Sequence, residues 1–172
     1  MRKLILLIIG LSLLFSLSSV YAYSNVTTCI KITSPGEYRL TNDITMAGTC
    51  FVINSDDVVF DCQNHSINQT DVYNWDGFYL NATNITVKNC RIFDFLHGIY
   101  VSENSGSITI SNNYIDSKFS IGAWLPDSSD LRITNNTLIS ASTVGSTIIG
   151  GIRVWDSPES CTPDVDTFFS VG

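Results

Sequence analysis

The sequence predicts an all-β parallel solenoid, because one phrase recurs at a fixed interval. Three nine-residue segments begin at Asn84, Ser107 and Asp130 and are spaced 23 residues apart: NITVKNCRI, SITISNNYI and DLRITNNTL. Repeats of roughly 20–50 residues are typical of stacked-coil folds, and short alternating runs between polar turns leave no room for a long helix. We therefore expect a β-solenoid of about four to five coils, each copy being one coil.

A second phrase lies between the copies. Gly77, Gly98, Gly122 and Gly151 each precede an apolar, variable, apolar triplet. Successive residues of a strand face opposite ways, so both phrases predict columns of inward side chains. The predicted inward set is Phe78/Leu80, Ile99/Val101, Ala123/Leu125 and Ile152/Val154 from the glycine phrase, with Ile85/Val87/Ile92, Ile108/Ile110/Ile115 and Leu131/Ile133/Leu138 from the first phrase.

Asparagines recur at the turn inside the first phrase. Asn89, Asn112 and Asn135 occupy the same position in the three copies. In the two later copies the following residue is also an asparagine, Asn113 or Asn136. Asparagine tolerates the left-handed backbone of a sharp turn, and stacked amides bond one another along a repeat axis. We interpret these residues as structural.

The amino terminus predicts export. Residues 1–22 combine a basic start, an apolar core and small residues before a cleavage point after Ala22, as in a signal-peptide helix; an uncleaved anchor is the alternative. Removing Arg2 and Lys3 leaves 7 basic against 16 acidic residues, a net charge of −9. Such a surface repels nucleic acid, so we expect a secreted or cell-surface protein without a nucleic-acid partner.

Cysteine usage fits an oxidising compartment. The chain has five cysteines and no Cys-x-x-Cys pair, which favours disulfides over metal ligation. Cys29 and Cys50 flank the first segment, while Cys62 and Cys90 occupy nearly the same turn one coil apart, about 4.8 Å in a parallel sheet. We predict the bonds Cys29–Cys50 and Cys62–Cys90, with Cys161 left over.

Six Asn-x-Ser/Thr sequons occur in the mature chain. We predict glycosylation at Asn25, Asn68, Asn81 and Asn84 where the host has the machinery. Asn64 and Asn135 lie at predicted corners, and we expect them to be plain turn residues.

The two ends differ from the repeats. Residues 23–53 predict an amino-terminal cap containing a hairpin around Pro35-Gly36, and residues 54–155 the repeats. Residues 156–172 form an irregular tail or begin a truncated coil. An open carboxyl-terminal edge would permit self-association, so a fibre-forming unit is one alternative.

Residues 29–154 resemble the NosD-like group of right-handed parallel β-helix repeat proteins. The matching text is CIKITSPGEYRL at 29–40, VVFDCQNHSI at 58–67, NITVKNCRI at 84–92, HGIYV at 97–101 and SITISNNYI at 107–115. The resemblance implies a right-handed coil in a surface or secreted protein, and copper delivery in some members. A copper-related periplasmic protein is therefore a second alternative. Copper takes His, Cys and Met donors, and besides the five cysteines this chain has only two His and two Met, so we predict no metal or cofactor.

Pectate lyases and polygalacturonases share this architecture, so a polysaccharide lyase or glycoside hydrolase is the rival interpretation. Their sites imply clustered carboxylates, with calcium and an arginine in the lyases. The candidates here are Asp61, Arg91, Asp94 and His97. We expect a chain without catalysis, since the surroundings of the hydrolase motifs are not matched.

The outward position of the glycine phrase predicts a binding strip. Tyr79, Tyr100 and Trp124 would stack as an exposed aromatic column, followed by Arg153. Aromatic rings along a strip suit sugar rings, and an arginine would add charge for an acidic glycan. The alternative is that these rings pack on each other. The sequence thus favours an exported, non-catalytic structural or adhesion module with polysaccharide as the candidate partner.

Overall fold

The structure is a computed structural model that describes residues 22–71, 74–125, 130–140 and 152–156; the side chains of residues 120, 122–125, 140 and 152–156 are outside this description. Its strands, in chain order, are β1 (Tyr23–Val26), β2 (Lys31–Ile32), β3 (Gly36–Leu40), β4 (Ile44–Met46), β5 (Phe51–Ile53), β6 (Val58–Asp61), β7 (Ser66–Gln69), β8 (Asp76–Leu80), β9 (Thr83–Lys88), β10 (Arg91–Phe93), β11 (His97–Val101), β12 (Gly106–Ser111), β13 (Tyr114–Ser117), β14 (Phe119–Leu125), β15 (Leu131–Thr134), β16 (Thr137–Ser140) and β17 (Ile152–Asp156).

These strands form three parallel sheets. The first sheet has the order β1-β3-β6-β9-β12-β15, the second β4-β7-β10-β13-β16, and the third β2-β5-β8-β11-β14-β17. From β3 onward the chain visits the first, second and third sheets in turn, so the described residues contain four complete coils, β3 to β14, after an initial two-strand coil and before the strands β15–β17 of a further coil. The predicted all-β solenoid is confirmed.

The 23-residue repeat sets the register of the first sheet. Ile108 pairs with Ile85 on one side and with Leu131 on the other, and Ile110 pairs in the same way with Val87 and Ile133. All six side chains are buried. Because the strands are parallel and the repeat is constant, each inward side chain lies over its counterpart in the coil before it.

Aromatic packing fills the shaft near its amino-terminal end. Phe51, Phe60 and Phe78 are fully buried, and their ring centroids lie 4.5, 4.9 and 5.1 Å apart in the three pairs. Phe51 and Phe78 are strand partners in the third sheet, whereas Phe60 reaches across from the first sheet. Burying side chains of this size contributes about 1.5–3 kcal/mol each relative to exposure.

Asparagine ladders close the corner between the first and second sheets. Asn89, Asn112 and Asn135 have φ of 55°, 57° and 52°, the predicted left-handed turn conformation. The next residue, Asn113, is only 3 % exposed: its Oδ1 accepts the N–H of Cys90 at 2.8 Å and its Nδ2 donates to the Val87 carbonyl at 3.1 Å. Asn136 makes the matching bonds to the coil before it, since its Oδ1 accepts the Asn113 N–H and its Nδ2 donates to the Ile110 carbonyl, which confirms the structural interpretation.

Both predicted disulfides are present. Cys29 bonds Cys50 with a Cα separation of 4.6 Å, and Cys62 bonds Cys90 with 4.7 Å. Disulfides persist in oxidising compartments, so the pair is consistent with an extracellular protein. Cys161 lies outside the described residues.

The expected hairpin around Pro35-Gly36 is wrong. β2 pairs with β5 in the third sheet, while β3 pairs with β1 and β6 in the first, all in parallel. Gly36 has a φ of 138°, so the Pro-Gly turn forms a corner between two sheets instead of a reversal within one. Residues 23–53 therefore already supply strands to all three sheets.

The predicted signal peptide, residues 1–22, lies outside the described residues except for Ala22, as does the predicted tail, residues 156–172, except for Asp156. In the part of the chain that the structure describes, no helix has the length and hydrophobicity of a membrane span.

The phenylalanine cluster generates a stability prediction. We expect Phe60→Ala to lower the free energy of unfolding by about 3–5 kcal/mol, because it removes two ring contacts and leaves a cavity in a fully buried site. Urea unfolding followed by circular dichroism measures the change. Thr45→Ala, at an exposed position of β4, is the control and should change stability by less than about 0.5 kcal/mol. An equal effect of the two variants would contradict a packed shaft.

The asparagine ladder generates a second stability prediction. Asn113→Ala strips the Cys90 N–H and the Val87 carbonyl of their partners inside the protein, so we expect a loss of about 1–3 kcal/mol. Asn54→Ala changes an exposed asparagine outside the ladder and should leave the unfolding midpoint nearly unchanged. Amide hydrogen exchange at Cys90 adds a local readout, and its protection should fall only in the ladder variant.

Candidate functional site

Two tyrosines stand side by side on the outer face of the third sheet. Tyr79 of β8 and Tyr100 of β11 are Cα partners, and both are half-buried. Their ring centroids lie 5.5 Å apart with an interplanar angle of 20°. Each tyrosine therefore shares one ring face with the other, as cross-strand neighbours in register do.

The close approach of these coils depends on a glycine. A Cβ placed on Gly77 would lie 2.5 Å from the carbonyl oxygen of Gly98, the corresponding glycine of the next coil. The glycine phrase of the sequence therefore has a packing role at this pair of coils, next to the two tyrosines.

A groove opens beside the tyrosine pair. It is lined by Tyr79, Tyr100, Ser102, Glu103 and Asn104 and encloses about 200 Å³. The last three residues belong to the turn between β11 and β12, and Glu103 and Asn104 are exposed. We call this feature the tyrosine groove.

Hydrogen bonds tie the turn to the coil before it. Ser105 Oγ donates to the Leu80 carbonyl at 2.8 Å, and Ser102 Oγ donates to Asn81 Oδ1 at 2.8 Å. Asn104 Nδ2 also donates to Asn81 Oδ1, at 3.2 Å. Because these bonds connect consecutive coils, the polar wall of the tyrosine groove is fixed relative to its aromatic wall.

A histidine–aspartate pair lies behind Tyr100. His97 Nδ1 is 2.8 Å from Asp76 Oδ1, and the two side chains are only 12 % and 19 % exposed. A carboxylate only accepts, so the histidine donates from Nδ1. The ring centroid of His97 lies 5.0 Å from that of Tyr100 and 5.5 Å from that of Phe119, on which the histidine stacks. His97 therefore packs against one side of Tyr100.

The environment of Tyr100 keeps its phenol neutral. Burial is the main cause that raises the pKa of Tyr100 above its ordinary value of 10.0, and the nearby charges of Tyr79, Asp76 and Glu103 raise it further. A neutral phenol both donates and accepts a hydrogen bond. The tyrosine groove therefore combines hydroxyl, amide and carboxylate groups beside aromatic surface.

The predicted column forms only in part, and binding by it stays a prediction. Tyr79 and Tyr100 stack, but they are half-buried instead of exposed and pack on each other, as in the alternative interpretation. Tyr100 pairs with Gly122, and Trp124 pairs with Trp155. The column thus runs Tyr79, Tyr100, Gly122 and Arg153, with Arg153 in register as predicted. The side chains of Trp124 and Arg153 lie outside the described part, so their contacts remain untested.

Trp124 was misplaced because the prediction aligned β14 with β11 in the wrong register. The backbone pairs Ile99 with Ile121 and Val101 with Ala123, whereas the repeated glycine phrase places Ala123 and Leu125 at those positions. The difference is two residues, which keeps every side chain on the same face of its strand.

The candidate catalytic residues are spread over the three sheets. Asp61 ends a strand of the first sheet, Arg91 begins a strand of the second, and His97 begins one of the third. Asp94 is an exposed corner residue with a φ of 66°. Asp61 accepts the Gln63 N–H and the Asn89 amide, each at 2.9 Å, and its carboxylate lies 3.6 Å from Lys88 Nζ, so its contacts are those of a corner residue.

Among the residues described, no three His, Cys, Asp or Glu side chains lie close enough together to hold a metal ion. The second histidine, His65, belongs to another coil and another sheet edge. Its Nδ1 lies 3.2 Å from Asp43 Oδ1, and the Ser66 N–H donates to the same oxygen at 2.8 Å. The Ser66 bond, followed by the His65 contact, lowers the pKa of Asp43 below its ordinary value.

The four predicted glycosylation sites differ in their surroundings. Asn25 is exposed on β1, and Asn68 Nδ2 lies 3.3 Å from Ser66 Oγ. Asn81 accepts the two bonds from the tyrosine-groove turn, and Asn84 Nδ2 donates to Asp57 at 2.6 Å. Their modification stays a prediction.

Sequence reasoning missed the polar wall of the groove. Ser102, Glu103 and Asn104 carry no motif, and their neighbourhood with Tyr79 arises only from stacking of the coils. The one available signal was their position directly after the strand that carries Tyr100.

The raised pKa of Tyr100 makes a titration prediction. In an alkaline ultraviolet titration, we expect one tyrosine to ionise later than the ordinary value of 10.0, and Tyr100→Phe to remove that late step. Because the folded pKa is raised, the stabilisation is complete below pH 10 and is lost as the pH rises through the folded pKa. Tyr114→Phe, on the second sheet, should leave the late step in place; its loss there would contradict the assignment.

A protein family described as a right-handed β-helix region matches residues 15–162. No curated protein and no solved structure matches the chain significantly. The match spans most of the sequence and agrees with the three parallel sheets, whereas the narrower likeness to the NosD-like group remains a prediction. The chain belongs to the right-handed β-helix family.

Proposed function

We propose that the chain is an exported, non-catalytic β-helix module that acts as a structural or adhesion element outside the cell and binds carbohydrate in the tyrosine groove. The observation that carries the proposal is the stacked pair Tyr79 and Tyr100 beside a groove walled by a serine, a carboxylate and an amide. Sugars are amphipathic, and they are bound where aromatic surface meets several convergent hydrogen-bonding groups.

The size of the groove supports a single sugar unit as the bound element. Its volume of about 200 Å³ lies below the range of roughly 300–1,000 Å³ that is usual for drug-sized ligands. One ring of a polysaccharide would occupy the groove while its neighbours remain in solvent. Weak binding of each unit is sufficient for an adhesion module that meets many repeated units on one surface.

The scaffold supports a mechanical role. Each coil is hydrogen-bonded to the next along three sheets, and two disulfides join coils near the amino-terminal end. Export is supported by these disulfides and by the predicted signal peptide at residues 1–22. The formal net charge of −7 supports a partner other than nucleic acid.

The test is binding to a polysaccharide panel by affinity electrophoresis and pull-down. We expect the wild-type protein to be retained by at least one polysaccharide, and the double variant Tyr79→Ala/Tyr100→Ala to lose about tenfold or more in affinity. Reducing-sugar and unsaturated-product assays on the same panel, with and without calcium, should show no turnover.

Tyr114→Ala is the matched control for this test. Tyr114 is also a half-buried outward tyrosine, and it packs on Phe93 at 5.6 Å, but it lies on the second sheet. Its binding should equal that of the wild type. If the two tyrosine variants bind equally well while circular dichroism shows both folded, the groove is not the binding site.

A further inference from the structure

The charge at the tyrosine groove selects among sugars. Of its five lining residues, Glu103 is the only charged one, and none is basic. The carboxylate of Asp76 is close enough to Tyr100 to contribute to its raised pKa, as does that of Glu103. The groove is therefore electronegative, within a protein whose formal net charge is −7.

We infer that the tyrosine groove takes neutral sugars and discriminates against uronic acids and other anionic sugars; this inference rests on the proposed function. A carboxylate placed in the groove would meet Glu103 as a like charge across a small, partly enclosed space, which costs affinity. A neutral sugar instead offers hydroxyl groups, which donate to the same carboxylate.

The geometry of the turn supports hydroxyl recognition. The Asn104 side chain donates to Asn81 through Nδ2, so its amide orientation is fixed by the coil below. Glu103 precedes it in the same turn, so a fixed amide and an ionised acceptor stand next to each other on one wall. Two oxygens of one carboxylate accept from two hydroxyls, so neighbouring hydroxyls on a sugar ring match this wall.

The positions of the basic residues in the strand-pairing column of Tyr79 and Tyr100 agree with this selectivity. Lys31 pairs with Val52, which pairs with Tyr79, and at the other end Arg153 pairs with Gly122, which pairs with Tyr100. The backbone of each of these two basic residues is therefore two coils from the nearer tyrosine, about 10 Å away at the spacing of parallel strands. At physiological salt, exposed charges at such a separation are largely screened. Glu103, in contrast, borders the groove itself.

The experiment compares two forms of one polymer. The probes are polygalacturonate and its fully methyl-esterified form, which differ in charge and share their backbone, together with a neutral galactan. We expect the wild-type protein to bind the neutral polymers more tightly than polygalacturonate at physiological salt, where charges outside the groove are largely screened. Glu103→Gln removes the charge and keeps the shape, and it should raise the affinity for polygalacturonate relative to the esterified polymer about tenfold.

Asp71→Asn is the control, because it removes one negative charge at an exposed position between β7 and β8, outside the groove. It should leave the preference unchanged. Equal binding of the acidic and esterified polymers by the wild type, or an unchanged preference in Glu103→Gln, overturns this inference and leaves carbohydrate binding standing. Retention of none of the panel overturns both the inference and the proposed function.

Discussion

Parallel pairing of each coil with the next is the constraint on which the rest of the structure depends. In this fold the neighbour of each strand residue is fixed, because the corresponding residue of the coil before lies directly beside it at about 4.8 Å. Apolar positions therefore become continuous columns, as in Ile85, Ile108 and Leu131. Polar positions must find partners along the axis, as the Asp61 carboxylate does with Lys88.

At the corner between the first and second sheets, adjacent coils are linked in two chemical ways, by a disulfide and by side-chain amides. Cys62 and Cys90 are joined covalently, and the same column continues with Asn113 and Asn136. The bond from the Cys90 N–H to Asn113 connects the disulfide to the amide ladder. A covalent link and an amide ladder can follow each other at this corner because both span the distance between adjacent coils.

The sequence pattern predicted the stacking of the coils, but it did not predict the register of β14 or the path of the chain at Pro35-Gly36. The constant spacing of 23 residues predicted the register of β9, β12 and β15 in the first sheet, and the turn positions of Cys62 and Cys90 were enough to pair them. In the third sheet β14 was misaligned with β11 by two residues, because a shift of two preserves the inward and outward alternation and so leaves no trace in the hydrophobic pattern. Only the backbone pairing of Tyr100 with Gly122 distinguishes the two registers.

The Pro35-Gly36 turn was misassigned for a related reason. A proline followed by glycine marks a change of direction, but local chemistry does not say whether the next strand returns beside the last one or moves to another sheet. β2 is two residues long, and its partner is β5 of the next coil instead of its sequence neighbour β3. Short strands in a solenoid gain their stability from the coils above and below, which a local turn signal cannot report.

The tyrosine groove inherits its geometry from the same stacking. The register that brings Tyr79 beside Tyr100 also places Asn81 beneath the turn that carries Glu103 and Asn104. The aromatic and polar walls are therefore joined to the same scaffold, so the sugar that we propose as the ligand would meet a preformed surface and binding would cost little conformational entropy. A preformed surface matters for the proposed binding of a single sugar, because ordering a mobile loop would consume the small free energy that one ring provides.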